Sequence, residues 1–417
     1  MSKKTLEPRL RFPEFLETGE WDAHTLGDIS DRITDKVGNK KLTTLSISAG
    51  KGFVSQAEKF SRDISGNQYK NYIHLKKGEM SYNKGNSKTF PQGCVYELIE
   101  YTEAAVPNAF ISFRFYDAHI ADFYKGYFEN NFHGAQLKRF ITSGARSDGL
   151  LNINPTDFFS IVLPAPKKKE EQQKIADCLT SLDELIVAEN NKLEALKTHK
   201  KGLMQKIFPV EGKTLPEWRF PEFSGSEEWE IKKLGAFANV LMCKRIHASE
   251  TSEKGDVPFY KIGTLGEKAD AFISKEIFEL YKSKYNYPKS GEVLLTCSGT
   301  VGKCLLYDGK DAYYQDSNIV WIDNPTLELS NELLLYMVKN VNWAKLNSTT
   351  ITRIYGDDLR NLTLSFPKHE NEQHKITDML SNIDDKITAQ TEKNEALKQH
   401  KKGLMQGLFP SAQEVME

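Results

Sequence analysis

Between residues 166 and 209 the apolar positions Ile175, Leu179, Leu182, Ile186, Leu193, Leu196, Leu203 and Ile207 recur at spacings of three, four and seven. That spacing gathers them on one narrow stripe of a helix and leaves the rest of its surface polar. The stripe returns over 366–410 with Ile376, Leu380, Ile383, Ile387, Leu397, Leu404 and Leu408. Pro166 and Pro367 stand where a helix can begin, Glu170, Glu171 and Glu372 fall in the opening turns, and Lys200, Lys201, Lys401 and Lys402 come toward the end, as the helix dipole favours. A rod of about 40 residues is roughly 60 Å long, too long to bury its stripe on one domain, so a partner rod is expected. The other copy is the obvious partner, in an antiparallel coiled coil; packing of each helix on its own domain is the alternative. Glu189 and Gln390 interrupt the stripe at matching places, as a polar register mark would. Upstream of each rod, runs such as Phe110–Phe115 and Glu292–Thr296, broken by Gly- and Asn-rich turns, predict strands, so the globular parts are α/β or α+β.

The chain is an internal duplication. Arg11-Phe12-Pro13-Glu14-Phe15, Trp21 and Leu26-Gly27 recur 208 residues later as Arg219-Phe220-Pro221-Glu222-Phe223, Trp229 and Leu234-Gly235. The stretch Pro166 to Pro209 recurs 201 residues later as Pro367 to Pro410, with 25 of 44 positions identical. A repeat of this length is a duplicated domain unit rather than a solenoid. The helical stretches are preserved, whereas the globular stretches have drifted nearly beyond alignment. Identity also extends to positions off the stripe: Lys197, His199, Lys200, Lys201 and Gln205 reappear as Lys398, His400, Lys401, Lys402 and Gln406. A seam between the helices does not require this, and a partner shared by both copies explains it.

Composition narrows the class. With 39% hydrophobic residues in 417, the chain is globular and long enough for two or three domains. No apolar stretch approaches the ~20 residues of a membrane helix, the first residues are basic with no apolar run behind them, and five cysteines form no C-x-x-C pair, so a cytoplasmic protein with reduced thiols is expected. Net charge is -1, so affinity for nucleic acid must come from local distribution. Residues 31–93 carry twelve Lys/Arg against five Asp/Glu, interleaved with Tyr69, Tyr72, Tyr82 and Phe90; residues 241–303 carry ten against eight. The first window suits a phosphate-facing surface, with a solvated basic face as the plain alternative.

Two polar loops occupy equivalent places, Ser81–Lys88 after Gly78-Glu79-Met80 and Thr296–Lys303 after Gly291-Glu292-Val293. Each ends in lysine and lets backbone amides and short polar side chains approach a phosphate or a base edge, although either could be an ordinary hairpin turn. The candidate DNA contacts are Lys84, Asn86, Lys88 and Arg146 in the first half and Ser298, Thr300, Lys303 and Arg353 in the second. The second loop lacks the glycine and hydroxyl of a P-loop at Cys297 and Cys304. No nucleophile elbow, dinucleotide fingerprint or metal-spaced histidine cluster is present. Asp323-Asn324-Pro325-Thr326 reads as a turn, and Asp357-Asp358 and Asp384-Asp385 read as helix-start and solvated charges. The sequence therefore points to a chain without catalytic or metal residues of its own.

A duplicated unit of divergent domain plus preserved helix, with Leu163-Pro164-Ala165-Pro166, Glu171-Gln172-Gln173-Lys174-Ile175 and Leu179, resembles the DNA specificity subunit of type I restriction-modification systems. The second copy has Ser365-Phe366-Pro367 in place of the Pro-x-Pro. The resemblance covers the whole chain. It implies a first target recognition domain over 1–165, a first spacer helix over 166–209, a linker over 210–229, a second target recognition domain over 230–365, a second spacer helix over 366–410 and a tail over 411–417. It further implies that each domain reads one half of a split, asymmetric site on double-stranded DNA and that the helices set the separation. Two methyltransferase subunits would dock on the helices and two restriction-translocase subunits would join them. S-adenosylmethionine, ATP and magnesium would belong to those partners, with no cofactor in this chain. The rival reading is a coiled-coil scaffold or adaptor whose end domains bind proteins; an orphan nuclease ranks behind both.

Overall fold

The computed structural model describes residues 6–85, 90–116, 119–141, 151–210, 212–315, 318–343, 353–411 and 415. It contains two compact units that do not follow linear order: unit 1 comprises 1–191 and 392–417, and unit 2 comprises 192–391. Each long helix is thus shared. The first, Lys169–Ile207, gives its opening half to unit 1 and its closing half to unit 2; the second, Glu370–Leu408, does the reverse. Both begin three residues after the proline expected to start them. Pro166 and Pro367 instead end the preceding strand region, and their carbonyls accept from the side-chain amides of Gln172 and Gln373 at 3.1 and 2.8 Å.

Unit 1 is built on a four-stranded antiparallel sheet in the order Ser30–Arg32, Ile111–Phe115, Met80–Asn83, Cys94–Glu97. Two further antiparallel pairs, Leu45–Ser48 with Gly52–Ser55 and Ile73–Lys76 with Glu103–Val106, pack beside it around Leu45, Leu75 and Val106. A last pair, Asp22–Thr25 with Val162–Ala165, leads into the long helix. The main core gathers Tyr82, Phe113, Phe123, Tyr127 and Phe158 from the domain together with Ile175 and Leu179 of the first helix, Met405 and Leu408 of the second, and Phe409 just after it. As numbering rises from Asp183 to Asn190 on the first helix, its partner on the second falls from Lys401 to Asn394, so the pairing is antiparallel.

Unit 2 repeats the plan. Its four-stranded sheet runs Asn239–Leu241, Ile319–Asp323, Val293–Thr296, Cys304–Leu306, and Glu230–Lys233 pairs with Thr363–Phe366. The drift between copies lies in the smaller sheet, Phe272–Ile273, Val257–Tyr260 and Tyr313–Tyr314, whose last pairing is parallel. Sheets that are otherwise antiparallel make the globular parts α+β, of the two classes left open by the sequence. Ile376, Leu380, Met204 and Ile207 join the main core, and Lys200 meets Asp384 across the helices.

One constellation accounts for three of the repeated residues. In unit 1 the guanidinium of Arg11 donates to both oxygens of Glu171, at 2.7 and 2.9 Å, and Trp21 Nε1 donates to the same carboxylate at 3.3 Å. In unit 2 Arg219 and Trp229 hold Glu372 in the same way, at 2.7, 2.8 and 3.1 Å. Both carboxylates have no exposed side-chain surface. The pair locks the N-terminal arm of each unit to the start of a helix. Within the stretch expected as a linker, Arg219 and Trp229 point inward onto the Glu372 carboxylate. The polar interruption of the stripe is also resolved: Glu189 pairs with Lys393, Gln390 is buried, and Asn394, which stands where the first copy has Leu193, adds a second polar contact by donating to Asn190 Oδ1 at 2.9 Å.

Candidate nucleic-acid interface

Each four-stranded sheet has an acidic end and a loop end. At the first, Gly78 and Gly291 both take φ of +85°, and the carboxylates of Glu79 and Glu292 accept from the backbone N–H groups of Lys76 and Lys289 at 2.7 and 2.8 Å. These matched turns start the strands Met80–Asn83 and Val293–Thr296. Glu97 and Asp323 lie at the same ends. Burial, with Asp122 and Glu129 adding, pushes the Glu97 carboxyl up; burial, with Asp323 adding, pushes Glu292 up. Arg114 pairs with Glu79 and Lys289 with Asp323 at these ends. At the opposite ends the same strands run into the two polar loops.

The loop of unit 2 is tightly built. Thr296 and Lys303 exchange backbone and side-chain bonds, Thr296 N–H to Lys303 O at 2.9 Å and Lys303 N–H to Thr296 Oγ1 at 3.0 Å. Gly302 has φ of +86°, and a Cβ there would lie 2.3 Å from the Trp343 ring, so only glycine closes this turn. Ser298 donates to Asn318 Oδ1 at 2.6 Å and forms a β-bridge with Arg353, while Ile354 N–H reaches Cys297 O at 2.8 Å. Three segments far apart in sequence thus bring Ser298, Asn318 and Arg353 together. The Arg353 guanidinium carbon lies 5.6 Å from the centre of the Tyr355 ring, which is 62% exposed. Thr300 is exposed, and Lys303 is half-exposed with its ammonium 2.9 Å from Glu267. Burial pushes the Cys297 thiol up to about 12 and the Cys304 thiol up to about 11, so neither is a nucleophile.

In unit 1 the described parts of the loop are its two stems. Lys84 is half-buried and its carbonyl accepts from Leu151 N–H at 2.9 Å; Asn83 Oδ1 accepts from Gly85 N–H at 2.9 Å. The returning stem is held by Tyr82, whose hydroxyl donates to Gln92 O at 2.7 Å, and by His133 against Gly93 O at 3.3 Å. Burial lowers the His133 pKa to about 4, so the ring is neutral. Asn86, Lys88 and Arg146 lie outside the described residues. Of the surrounding basic window, Lys36, Lys40, Lys41, Lys51 and Lys70 are exposed. Lys59 is exposed too, but its ammonium donates to Ile47 O at 2.7 Å and desolvation lowers its pKa.

On the helices, Lys197, His199, Lys201 and Gln205 are exposed in unit 2, as are Lys398, His400, Lys402 and Gln406 in unit 1. Two residues of the repeated set behave differently. Lys401 is only 13% exposed and reaches Asp183 and Glu129, both at 2.6 Å; Lys200 is 17% exposed, pairs with Asp384 and lies over the Tyr336 ring. These two lysines face the seam and not outward, and Asp384, expected as a solvated charge, is engaged by Lys200 and by the Tyr336 hydroxyl at 2.9 Å. Long aliphatic stems let lysine cross such a seam, a possibility that an apolar-stripe pattern does not register.

A family model described as the type I restriction modification DNA specificity domain matches residues 19–198 and again 226–399. The chain belongs to this family. Each match of the DNA specificity domain covers one sheet domain and most of one long helix, the unit repeated in the sequence. A putative type I restriction enzyme specificity subunit of Haemophilus influenzae is 44% identical over 163 residues, 39% of this chain and 42% of that protein. The MjaVIII specificity subunit of Methanocaldococcus jannaschii is 26% identical over 303 residues, 66% of this chain and 67% of that one. These alignments thus span less than half of the first relative and about two thirds of the second. The S subunit of a type I restriction-modification system from M. genitalium superposes with a TM-score of 0.60, covering 97% of this chain and 100% of that chain at 14% identity. A chain from a structure of type I system assembly and conformational transition gives 0.57 over 94% and 98% at 16% identity. These likenesses show a shared fold. Among the described residues, no helix of this specificity-domain protein is long and apolar enough to cross a membrane, and no three His, Cys, Asp or Glu side chains are grouped to hold a metal.

Proposed function

We propose that this chain is the sequence-recognition subunit of a type I restriction-modification complex, working in the cytoplasm. Each DNA specificity domain reads one half of a split, asymmetric site on double-stranded DNA through the loop end of its sheet. Lys84 and Lys303 with the neighbouring lysines meet phosphates, while Ser298, Asn318, Arg353 and Tyr355 are the candidates for base edges in the second half. The exposed repeated residues of the two helices dock two methyltransferase subunits, and two restriction-translocase subunits join that core. S-adenosylmethionine, ATP and magnesium act in those partners, and no covalent step is assigned to this chain. The observation that carries the reading is the double match to a DNA specificity domain with preserved helices and diverged sheet ends: one binding task is the same twice and the other differs.

The test is co-expression with the cognate methyltransferase subunit in a host without such systems, followed by genome-wide mapping of modified adenines. A split motif, one half of which changes when residues 22–165 are exchanged for those of a related chain, is the expected result. A soluble complex that leaves no modification would transfer support to the scaffold reading.

A further inference from the structure

The two-stranded sheet at the head of each long helix has one strand whose outer edge faces away from its partner. In unit 1 the register, with Leu26 N–H bonded to Ile161 O, turns the main-chain groups of Val162 and Pro164 outward. All of these are accounted for. The buried Gln136 side chain donates to Val162 O and accepts from Val162 N–H, both at 2.8 Å; the Tyr127 hydroxyl donates to Pro164 O; and proline has no N–H to satisfy. A primary amide does for this edge what a neighbouring peptide group would do.

In unit 2 the same register, with Leu234 N–H bonded to Leu362 O, turns Thr363 and Ser365 outward. Among the described residues nothing bonds to their outer edge, and Ser365 Oγ is buried without a partner. Against this edge lies a groove of about 450 Å3 with Ile231, Met337, Val341 and Leu362 in its apolar wall and Asn340 and Asn342 among its polar lining. Outward main-chain donors and acceptors that meet no other strand, set beside an apolar groove, are a template for an added strand.

We infer that the Thr363–Phe366 edge receives an extended segment of the docked methyltransferase subunit as a third strand. The chemistry of the occupant is read from unit 1, where an amide N–H and C=O at this register complete the edge. Its source is read from position: Phe208, Pro209 and Val210 line the groove directly after the last helical turns, which carry the exposed Lys201 and Gln205. The identity of the occupant rests on the proposed function; the open edge does not.

The variant that tests this is Ser365→Pro. It removes one outward N–H at the position where unit 1 carries Pro164 in a matching register, so the strand accepts it. Amide hydrogen exchange at single-residue resolution is measured on the full chain alone and in complex with the methyltransferase subunit. Thr363 and Ser365 should exchange fast in the free chain and become protected in the complex, while Leu364, bonded inward to Lys232, is slow in both. Ser365→Pro should weaken the complex about five- to tenfold, the worth of one backbone hydrogen bond, without changing DNA binding by the free chain. A complex in which Thr363 and Ser365 still exchange freely, or which Ser365→Pro leaves at full affinity, overturns the inference and leaves the proposed function standing. Failure of any complex to form overturns the docking role and this assignment together, and the DNA titration of the same chain then shows whether recognition survives.

Discussion

Glu171 and Glu372 are carboxylates with no exposed side-chain surface, and each is tolerable only because an arginine and an indole N–H meet it. The hydrogen bond to Glu171 raises the Arg11 pKa against the opposing effect of burial, and Glu372 does the same for Arg219. Removing one partner strands the other. Glu171→Ala should therefore destabilise unit 1 by about 3–5 kcal/mol, with exchange protection lost around Trp21 and Ile175 and kept around Trp229 and Ile376. Denaturant titration with exchange checks it, and a uniform loss across both units would contradict a local role. At the proposed DNA face, Lys303→Ala should flatten the salt dependence of binding by about one unit, and Lys84→Ala likewise, one per phosphate contact. Glu267→Ala, by freeing Lys303, should steepen it; anisotropy titrations across a salt series read all three. Sequence showed the arginine, tryptophan and glutamate repeating but not that they meet. The first two recur at an offset of 208 and the third at 201, and contacts 150 or 160 residues apart leave no local periodicity.

At the scale of elements, the long helices were legible because an apolar stripe follows from 3.6 residues per turn, and every stripe residue named from the sequence is at least half-buried. The ends were less so: Pro166 and Pro367 are good first-turn residues, but here they serve the strand that precedes the helix. The seam also holds charge. Burial works against the Lys401 ammonium, yet Glu129 and Asp183 outweigh it and hold its pKa above the ordinary lysine value. A raised folded pKa contributes stability below the unfolded pKa and loses it as pH rises through the folded one. Unit 1 should thus keep this contribution at neutral pH and shed it above about pH 10, the ordinary lysine range. Lys401→Met should show a shallower alkaline fall in melting temperature than the parent chain; parallel curves would show that the lysine is not the group titrating. The two polar loops were legible as equivalent places, since matched Gly-Glu turns start their strands, but Asn318 and Tyr355 beside the second of them were not. Those come from segments 20 and more residues away, brought in by sheet order.

For the molecule as a whole, duplication was the strongest signal in the sequence, and the structure gives it physical content: the same strand order and the same buried clamp, with the smaller sheets rebuilt. Exchange of residues 22–165 should be tolerated for that reason, because Arg11, Trp21 and Glu171 stay with the recipient while both strands of the Asp22–Thr25 pair travel together. Such an exchange cuts across the contacts of Glu129 with Lys401, of Phe123 and Tyr127 with Phe409 and of Phe123 with Trp21, so the donor must carry matching side chains at those places. How the units divide the chain was not legible, since stripe patterns do not say which half of a helix belongs with which core. That division has a consequence for synthesis. Unit 2 is one uninterrupted stretch, 192–391, and can close as soon as it leaves the ribosome. Unit 1 cannot, although its domain is made first: Tyr127 and Phe123 wait for Phe409, and Leu179 for the closing turns that bear Met405 and Leu408. The half translated first is completed last, and until then its aromatic core is a nascent surface for chaperones to shield.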